Sequence, residues 1–518
     1  MPGLAALVRS IHVTTKPEVV RGFLLLDEGQ PCNELRRAES ERILRAQPYL
    51  ADASVQAFAN DRGGVDLDVR TIDEASAVVG AGVKSQNPYV TLLRLGSSNL
   101  GGGGIYAAGN WRHDNVFRDG YGLRFVDYQV FDRPYIFSME AQQDPLGDHW
   151  STDAAHPFLT DFQRIAWRAR SGTSNDLVYF RPVKAEKHAV RLRRQYFDAG
   201  GLIRIGPPGR LSLFGGSISG ERESPAASAV LVTPTGLFAD TSSVFFNRYE
   251  EHRFARVNAL WGVRDIAFVR VQGFDALTAT QDIPTGFQLG TLFGRSLSVL
   301  GSHDDDIFMS ADLYIGVANQ RTALRVQLQG EGRRSNDQNL WDGILTSGRV
   351  AQYLKLSQGQ IAVASAEWSG GSRMRVPFAF TLGESPGGVR GYASATSPGA
   401  QRAIARLEDR IFLGRPFGLG DAGIGLFADA GRLWAGDVPL GRSTPIRSSV
   451  GVSILGAVPP RSARLWRVDL AVPINPERSR TVEIRIVSSD RTAFFWREPR
   501  DVQFARERTV PSSIFNWP

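Results

Sequence analysis

Gly387-Gly388-Val389-Arg390-Gly391-Tyr392 lies between two strand-like regions and ahead of two acidic residues, Glu408 and Asp429. Each acid sits in a stretch that alternates apolar and polar residues. Asp429 shares a face with Gly425 and Phe427, while Ile424, Leu426, Ala428 and Ala430 line the other; Glu408 shares a face with Arg406 and Arg410, opposite Ala405, Leu407 and Ile411. Side chains of a strand point alternately to its two faces, so the charges gather on one side of a sheet and the aliphatics on the other. If the aliphatic side meets lipid, the charged side lines an enclosed lumen. A loop arginine reaching into that lumen has two carboxylates to bind, and its planar fork suits bidentate pairing.

The same alternation runs from about residue 75 to the end. Ile307, Met309, Ala311, Leu313 and Ile315 interleave with Phe308, Ser310, Asp312 and Tyr314; Trp466, Val468, Leu470, Val472 and Ile474 interleave with Arg467, Asp469 and Ala471. Between sixteen and twenty such segments can be counted, with 176–300 the hardest to divide. A soluble sandwich would show the same period, but the charged polar faces fit a wet lumen better than a dry core. Mean hydropathy is -0.18, and no apolar run is long enough for a transmembrane helix.

Residues 8–73 read differently, as a small β-α-α-β-β unit. Val8–Thr14 is a short strand pattern, Glu18–Leu26 a first helix, and Asn33 the N-cap of a second. Leu35, Ala38, Ile43 and Ala46 are expected on one face of that second helix. Ser54–Ala59 and Val65–Thr71 form a hairpin across Asn60-Asp61-Arg62-Gly63-Gly64.

The chain of 518 residues carries 60 Lys+Arg against 53 Asp+Glu, and the arginines are spread rather than clustered, so no nucleic-acid partner is expected. Cys32 is the single cysteine and the seven histidines have no metal-ligand spacing, so neither a disulfide nor a metal site is expected. Gly101–Gly104 has no following Lys-Ser/Thr and reads as a turn. Asp304-Asp305-Asp306 reads as a solvated loop. With no nucleophile elbow, HExxH or paired His/Asp arrangement, no catalytic residue and no cofactor are expected.

At this point the residues resemble a family. Residues 8–73 resemble a polypeptide-transport-associated (POTRA) domain, and 75–496 resemble the barrel of the BamA/TamA-type bacterial surface antigens. The most specific part is 376–487: Val376-Pro377-Phe378, Leu382-Gly383, the Val-Arg-Gly-Tyr loop, a Leu407-Glu408 strand, Phe427-Ala428-Asp429-Ala430-Gly431, then three closing strands. Ser98-Asn99-Leu100-Gly101-Gly102-Gly103 is similar to the family's turn after the second barrel strand. The resemblance implies a mostly β fold, a transmembrane antiparallel barrel of about sixteen strands after one small α/β domain. It implies that Arg390, on an inward-folded loop with Gly388, Val389, Gly391 and Tyr392, is locked by Glu408 and Asp429. Arg390→Ala is expected to loosen the loop while the barrel stays folded, and Glu408→Gln to do less, because Asp429 can still hold the arginine.

The function implied is non-enzymatic assembly, insertion or translocation of unfolded outer-membrane or secreted clients at the bacterial outer membrane. Clients would dock on 8–73 by β-augmentation, a domain that also offers a face to periplasmic or inner-membrane partners. The barrel would open between its first strand (about 75–85) and last (about 481–489), where Gly80 and Gly82 weaken pairing. The alternative is a pore or surface receptor for small solutes. The sequence departs from the family in having one POTRA-like domain, no N-terminal plug helix, and a tail, 497–518, beyond Phe494-Phe495-Trp496. Residues 1–10 lack a signal peptide. Pro499, Pro511 and Pro518 argue for an irregular tail on the periplasmic side or tucked into the barrel mouth.

Overall fold

The computed structural model describes residues 13–84, 87–113, 117, 119–181, 186–383, 387–475, 482–489 and 498–507. Most of the expected first strand, residues 8–12, and the tail beyond 507 lie outside these. The chain is mostly β, with one large antiparallel sheet and a small unit before it.

In the small unit, Asn33 caps the helix Glu34–Arg45, its side chain accepting from the Leu35 and Arg36 amides at 2.9 and 3.3 Å. The first helix is shorter than expected, Pro17–Arg21, because Gly22 closes it with a bond to the Glu18 carbonyl. The buried face of the second helix also differs. Ile43 and Leu44 are buried, but Leu35 is exposed and Ala38 is not covered. Only the last turns of this helix are held between the hairpin and the barrel rim, so the apolar period of its first turns meets nothing. The hairpin pairs Leu50–Ala59 with Val65–Asp73, and Asn60 accepts from the Arg62 and Gly64 amides across the turn.

The large sheet starts at Ala77–Lys84 and ends at Glu483–Ser489, and its strand order returns on itself as in a closed barrel. Of its twenty-two strands, Val230–Thr233 and Gly236–Ala239 form a hairpin inserted in one connection. The strands flanking that hairpin, Leu211–Pro225 and His252–Gln272, pair directly, with Phe214 opposite Trp261. Among the described residues twenty strands therefore make the wall. This corrects the figure of about sixteen; residues 105–156 alone supply four short strands whose polarity pattern is weak.

The two faces separate as the alternation requires. Leu407, Leu426, Ile454 and Leu470 point outward and are exposed, whereas Arg406, Glu408, Asp429, Arg467 and Asp469 point inward and are buried. Charges face the inside and aliphatics the outside, the inverse of a water-soluble sandwich.

The small unit sits on one mouth of this sheet. The Lys16 backbone amide donates to the Gly102 carbonyl at 3.0 Å, and Asn99 Nδ2 donates to Thr15 Oγ1 at 2.8 Å. The Gly-rich turn expected at 101–104 is thus an anchor, with Gly101, Gly102 and Gly104 at positive φ. Arg45 pairs with Asp282 at 2.8 Å, Glu39 accepts from Thr160 at 2.8 Å, and Glu74 accepts from Ser462 at 2.7 and 2.8 Å. Glu41 bridges both bodies, taking the Val55 amide at 3.0 Å and Arg270 of the barrel at 2.6 Å.

Burial raises the Glu41 carboxyl, but the Val55 amide, Arg45 and Arg270 outweigh it and hold the carboxyl below its ordinary value. A depressed carboxyl contributes stability at neutral pH that is lost as pH falls through the folded value. We expect hydrogen exchange in Glu34–Arg45 to rise between pH 5 and 3. The rise should be smaller in Glu41→Gln protein; an identical pH profile would refute this linkage.

Candidate functional site

Residues 373–400 connect Gln360–Ser372 to Gln401–Gly414 at the mouth away from the small unit, and they turn into the lumen. The loop carries its own backbone pairing. Phe380 and Gly399 exchange bonds at 2.9 and 3.0 Å, the Val389 amide donates to the Leu382 carbonyl at 2.9 Å, and Gly383 donates to Ala395 at 3.0 Å. These bonds satisfy a backbone that no strand can pair. Phe378, Phe380, Leu382, Val389 and Tyr392 then pack as a buried cluster against Ile404 and Leu433 of the wall. The Tyr392 hydroxyl donates to the Ser448 carbonyl at 3.0 Å.

Arg390 is the charged tip of this loop. Its Nε and Nη2 grip Asp429 at 2.7 Å each, its own amide donates to Asp429 at 3.2 Å, and Nη1 reaches Glu408 at 2.8 Å. The guanidinium also lies 3.5 Å from the centre of the Phe427 ring, a cation–π contact strengthened by the absence of water. The structure thus brings Arg390, Glu408 and Asp429 together. Gly391 takes φ +89°, which a side chain would strain, but Gly388 is not at positive φ. Gly388 instead presents its carbonyl to Arg406 Nη2 at 3.1 Å.

Sequence reasoning missed the rest of the network. Glu408 is shared by three arginines: besides Arg390, it accepts from Arg410 Nε at 2.7 Å and from Arg467 Nη2 at 2.9 Å. Arg467 also pairs with Asp469 at 3.0 Å, and Asp469 stands 4.0 Å from Arg390. The Arg467-Val468-Asp469 alternation is plain in the sequence. Its partners are not, because they depend on the order of strands round the wall. Among the described residues Asp429 accepts from Arg390 through three bonds, so it can still hold the loop in Glu408→Gln, but Glu408 also neutralises Arg410 and Arg467 of the wall, which that substitution would leave short of an acid.

The described part of the tail, 498–507, is also inside. It is neither fully irregular nor on the side of the small unit: Arg500–Ala505 is a short helix in the half of the lumen nearest the loop. Val502 and Ala505 join the loop's buried cluster. The helix forms because the wall satisfies polar groups at its end, Arg194 donating to the Phe504 and Arg506 carbonyls at 2.9 and 3.1 Å. Asp306, read as part of a solvated run, is buried and pairs with Arg256 and Arg375 at 3.0 Å each.

No family model matches the chain, and no curated protein matches it. Solved structures do. BamA from Haemophilus ducreyi lacking POTRA domains 1–3 is 10% identical, with 92% of this chain and 82% of that one covered and a TM-score of 0.41. CdiB from Escherichia coli is 10% identical over 91% of this chain and 73% of its own, TM-score 0.40. CdiB from Acinetobacter baumannii is 9% identical over 86% and 72%, TM-score 0.38.

Removing one partner of a buried pair costs about 3–5 kcal/mol because the other charge stays buried. We expect Arg390→Ala and Asp429→Asn to raise protease sensitivity within 373–400 while the wall stays folded. Glu408→Gln should also lower the thermal midpoint of the wall, since the arginines of two wall strands lose their shared acid. Equal midpoints for Asp429→Asn and Glu408→Gln would contradict this division.

Proposed function

We propose that this chain is a non-enzymatic outer-membrane barrel that inserts or translocates other polypeptides. The observation that carries the reading is the lumen itself. It holds a loop pinned by Arg390 to Glu408 and Asp429, under a sheet whose outward face is aliphatic. A passage for small solutes needs an open bore, and here the loop and the described part of the tail pack together inside it. A barrel that handles chains instead needs a surface to receive them and a wall that can part.

Two features support those needs. Among the described residues the small unit's sheet has two strands, and Val65–Asp73 pairs only with Leu50–Ala59. Its other edge is a template for an extended client. The wall strands that meet where the order closes, Ala77–Lys84 and Glu483–Ser489, are 8 and 7 residues long, against 21 for His252–Gln272. Shorter strands share fewer ladder bonds, so this seam, like the short pairing of Ile105–Arg112 with Gly120–Asp127, parts at lower cost than the long strands of the wall. We read residues 8–73 as a periplasmic domain, 75–496 as the membrane barrel and 497–518 as a C-terminal tail, whose described part, 498–507, lies in the lumen. Unfolded outer-membrane or secreted proteins are the proposed clients, and the lipid bilayer the solvent of the outer face.

The membrane reading predicts that Leu426→Arg, outward and near mid-strand, costs about 2–4 kcal/mol of stability in vesicles. The wild type should show heat-modifiable gel mobility, and solubility without detergent would refute the reading. For the activity, vesicles bearing the protein should accelerate insertion of a urea-denatured outer-membrane barrel. Arg390→Ala should slow this, and a photocrosslinker in Val65–Asp73 should capture the client. Unaccelerated insertion by protein already embedded in the vesicles would overturn the proposal.

A further inference from the structure

The contacts of 498–507 are those of a bound peptide. Asp501 receives Arg402 through both terminal nitrogens, at 2.5 and 2.9 Å. Glu507 is clamped between Arg256 at 2.6 Å and Arg333 at 2.6 and 3.1 Å. The exchange also runs the other way: Arg506 enters a polar recess, pairing with Glu331 at 3.1 Å and reaching Ser347 at 2.6 Å. Between the two acids, which are six positions apart, Val502 and Ala505 fill the apolar cluster under Val389 and Tyr392. Among the described residues no strand pairs with this segment. Its attachment is mainly by side chains, two carboxylates and one guanidinium in a fixed register with an apolar pair between them, joined by the Arg194 bonds to its carbonyls and by the Glu507 amide donating to Glu331 at 3.0 Å.

Such a wall recognises a chemistry rather than this one segment. Arginine forks aimed at carboxylates give bidentate geometry and direction. Buried charge pairs set register more than they add affinity, because desolvation offsets much of their attraction. A segment held this way exchanges with another of the same pattern.

We propose that the inner wall bearing Arg256, Arg333 and Arg402 is a receptor for short acidic–apolar polypeptide segments, which residues 498–507 occupy as an internal stand-in. What displaces the tail is an acidic stretch of a client chain, and in that respect alone the inference rests on the function proposed above. The tail then keeps the lumen filled until a client with matching carboxylates competes for it.

The test uses full-length protein in detergent micelles and a fluorescein-labelled peptide of residues 498–507. Asp501→Asn with Glu507→Gln in the protein weakens the resident tail while leaving the wall intact. This double variant should bind the labelled peptide at least ten-fold more tightly than wild type, as read by anisotropy. A peptide carrying the same two neutral substitutions should bind at least ten-fold more weakly than the acidic one. Val502→Asp in the protein attacks the apolar seat instead and should give the same gain, so the inference does not hang on one variant folding. Equal binding by wild type and both variants, or equal binding of acidic and neutral peptides, would overturn it. Client insertion without peptide competition would remove this inference and spare the function above; competition without insertion would do the reverse.

Discussion

Everything inside this sheet depends on one constraint: charges removed from water must be paired. Arg390, Arg410 and Arg467 converge on Glu408, and Asp429 and Asp469 complete the balance. Each partner is buried, so none can be released to solvent without moving the segment that carries it. The loop is held in the lumen because withdrawing Arg390 would strand Asp429 and leave Glu408 over-pulled by its two other arginines. Ion pairs of this kind are weak evidence for stability and better evidence for a defined arrangement. Here the arrangement is the position of 373–400.

The lumen consequently behaves as a core built from two materials. An apolar cluster of loop and tail side chains sits beside a charged network contributed by the wall. The outward surface, by contrast, is a continuous aliphatic band of Leu407, Leu426, Val450, Ile454 and Leu470. Burial on the inner face comes from the chain's own returning segments. A single-layer sheet whose outward side is aliphatic has no second sheet to pack on, so those segments supply its second layer.

How much of this was legible in sequence follows from range. Alternation is local, and it marked both faces of Gln401–Gly414 and Asp421–Trp434 and put Glu408 and Asp429 on the inward one. The Asn33 cap and the Asn60–Gly64 turn are also local and were readable. Strand count was not, because short segments such as Ile105–Arg112 and Gly120–Asp127 carry few residues of pattern. The exposed Leu35 shows a helical period that tertiary packing did not use. The Glu408 partner of Arg467 and the landing place of 498–507 depend on contacts more than fifty residues apart, for which no spacing rule exists. Pro499 argues against a ladder strand, and Arg500–Ala505 is a helix instead, but nothing local to Asp501 and Glu507 marks their arginine partners.

The seating of the small unit has a mechanical consequence. On one flank of the closing seam it is bonded to the turn 98–104, through Thr15 and Lys16. On the other flank it meets 458–464, where Arg461 pairs with Asp52 at 3.5 Å. The same unit thus bonds to both flanks of the joint. On the function proposed above, spreading the flanks would stretch that clasp, so parting the wall and tilting the small unit would be a single motion.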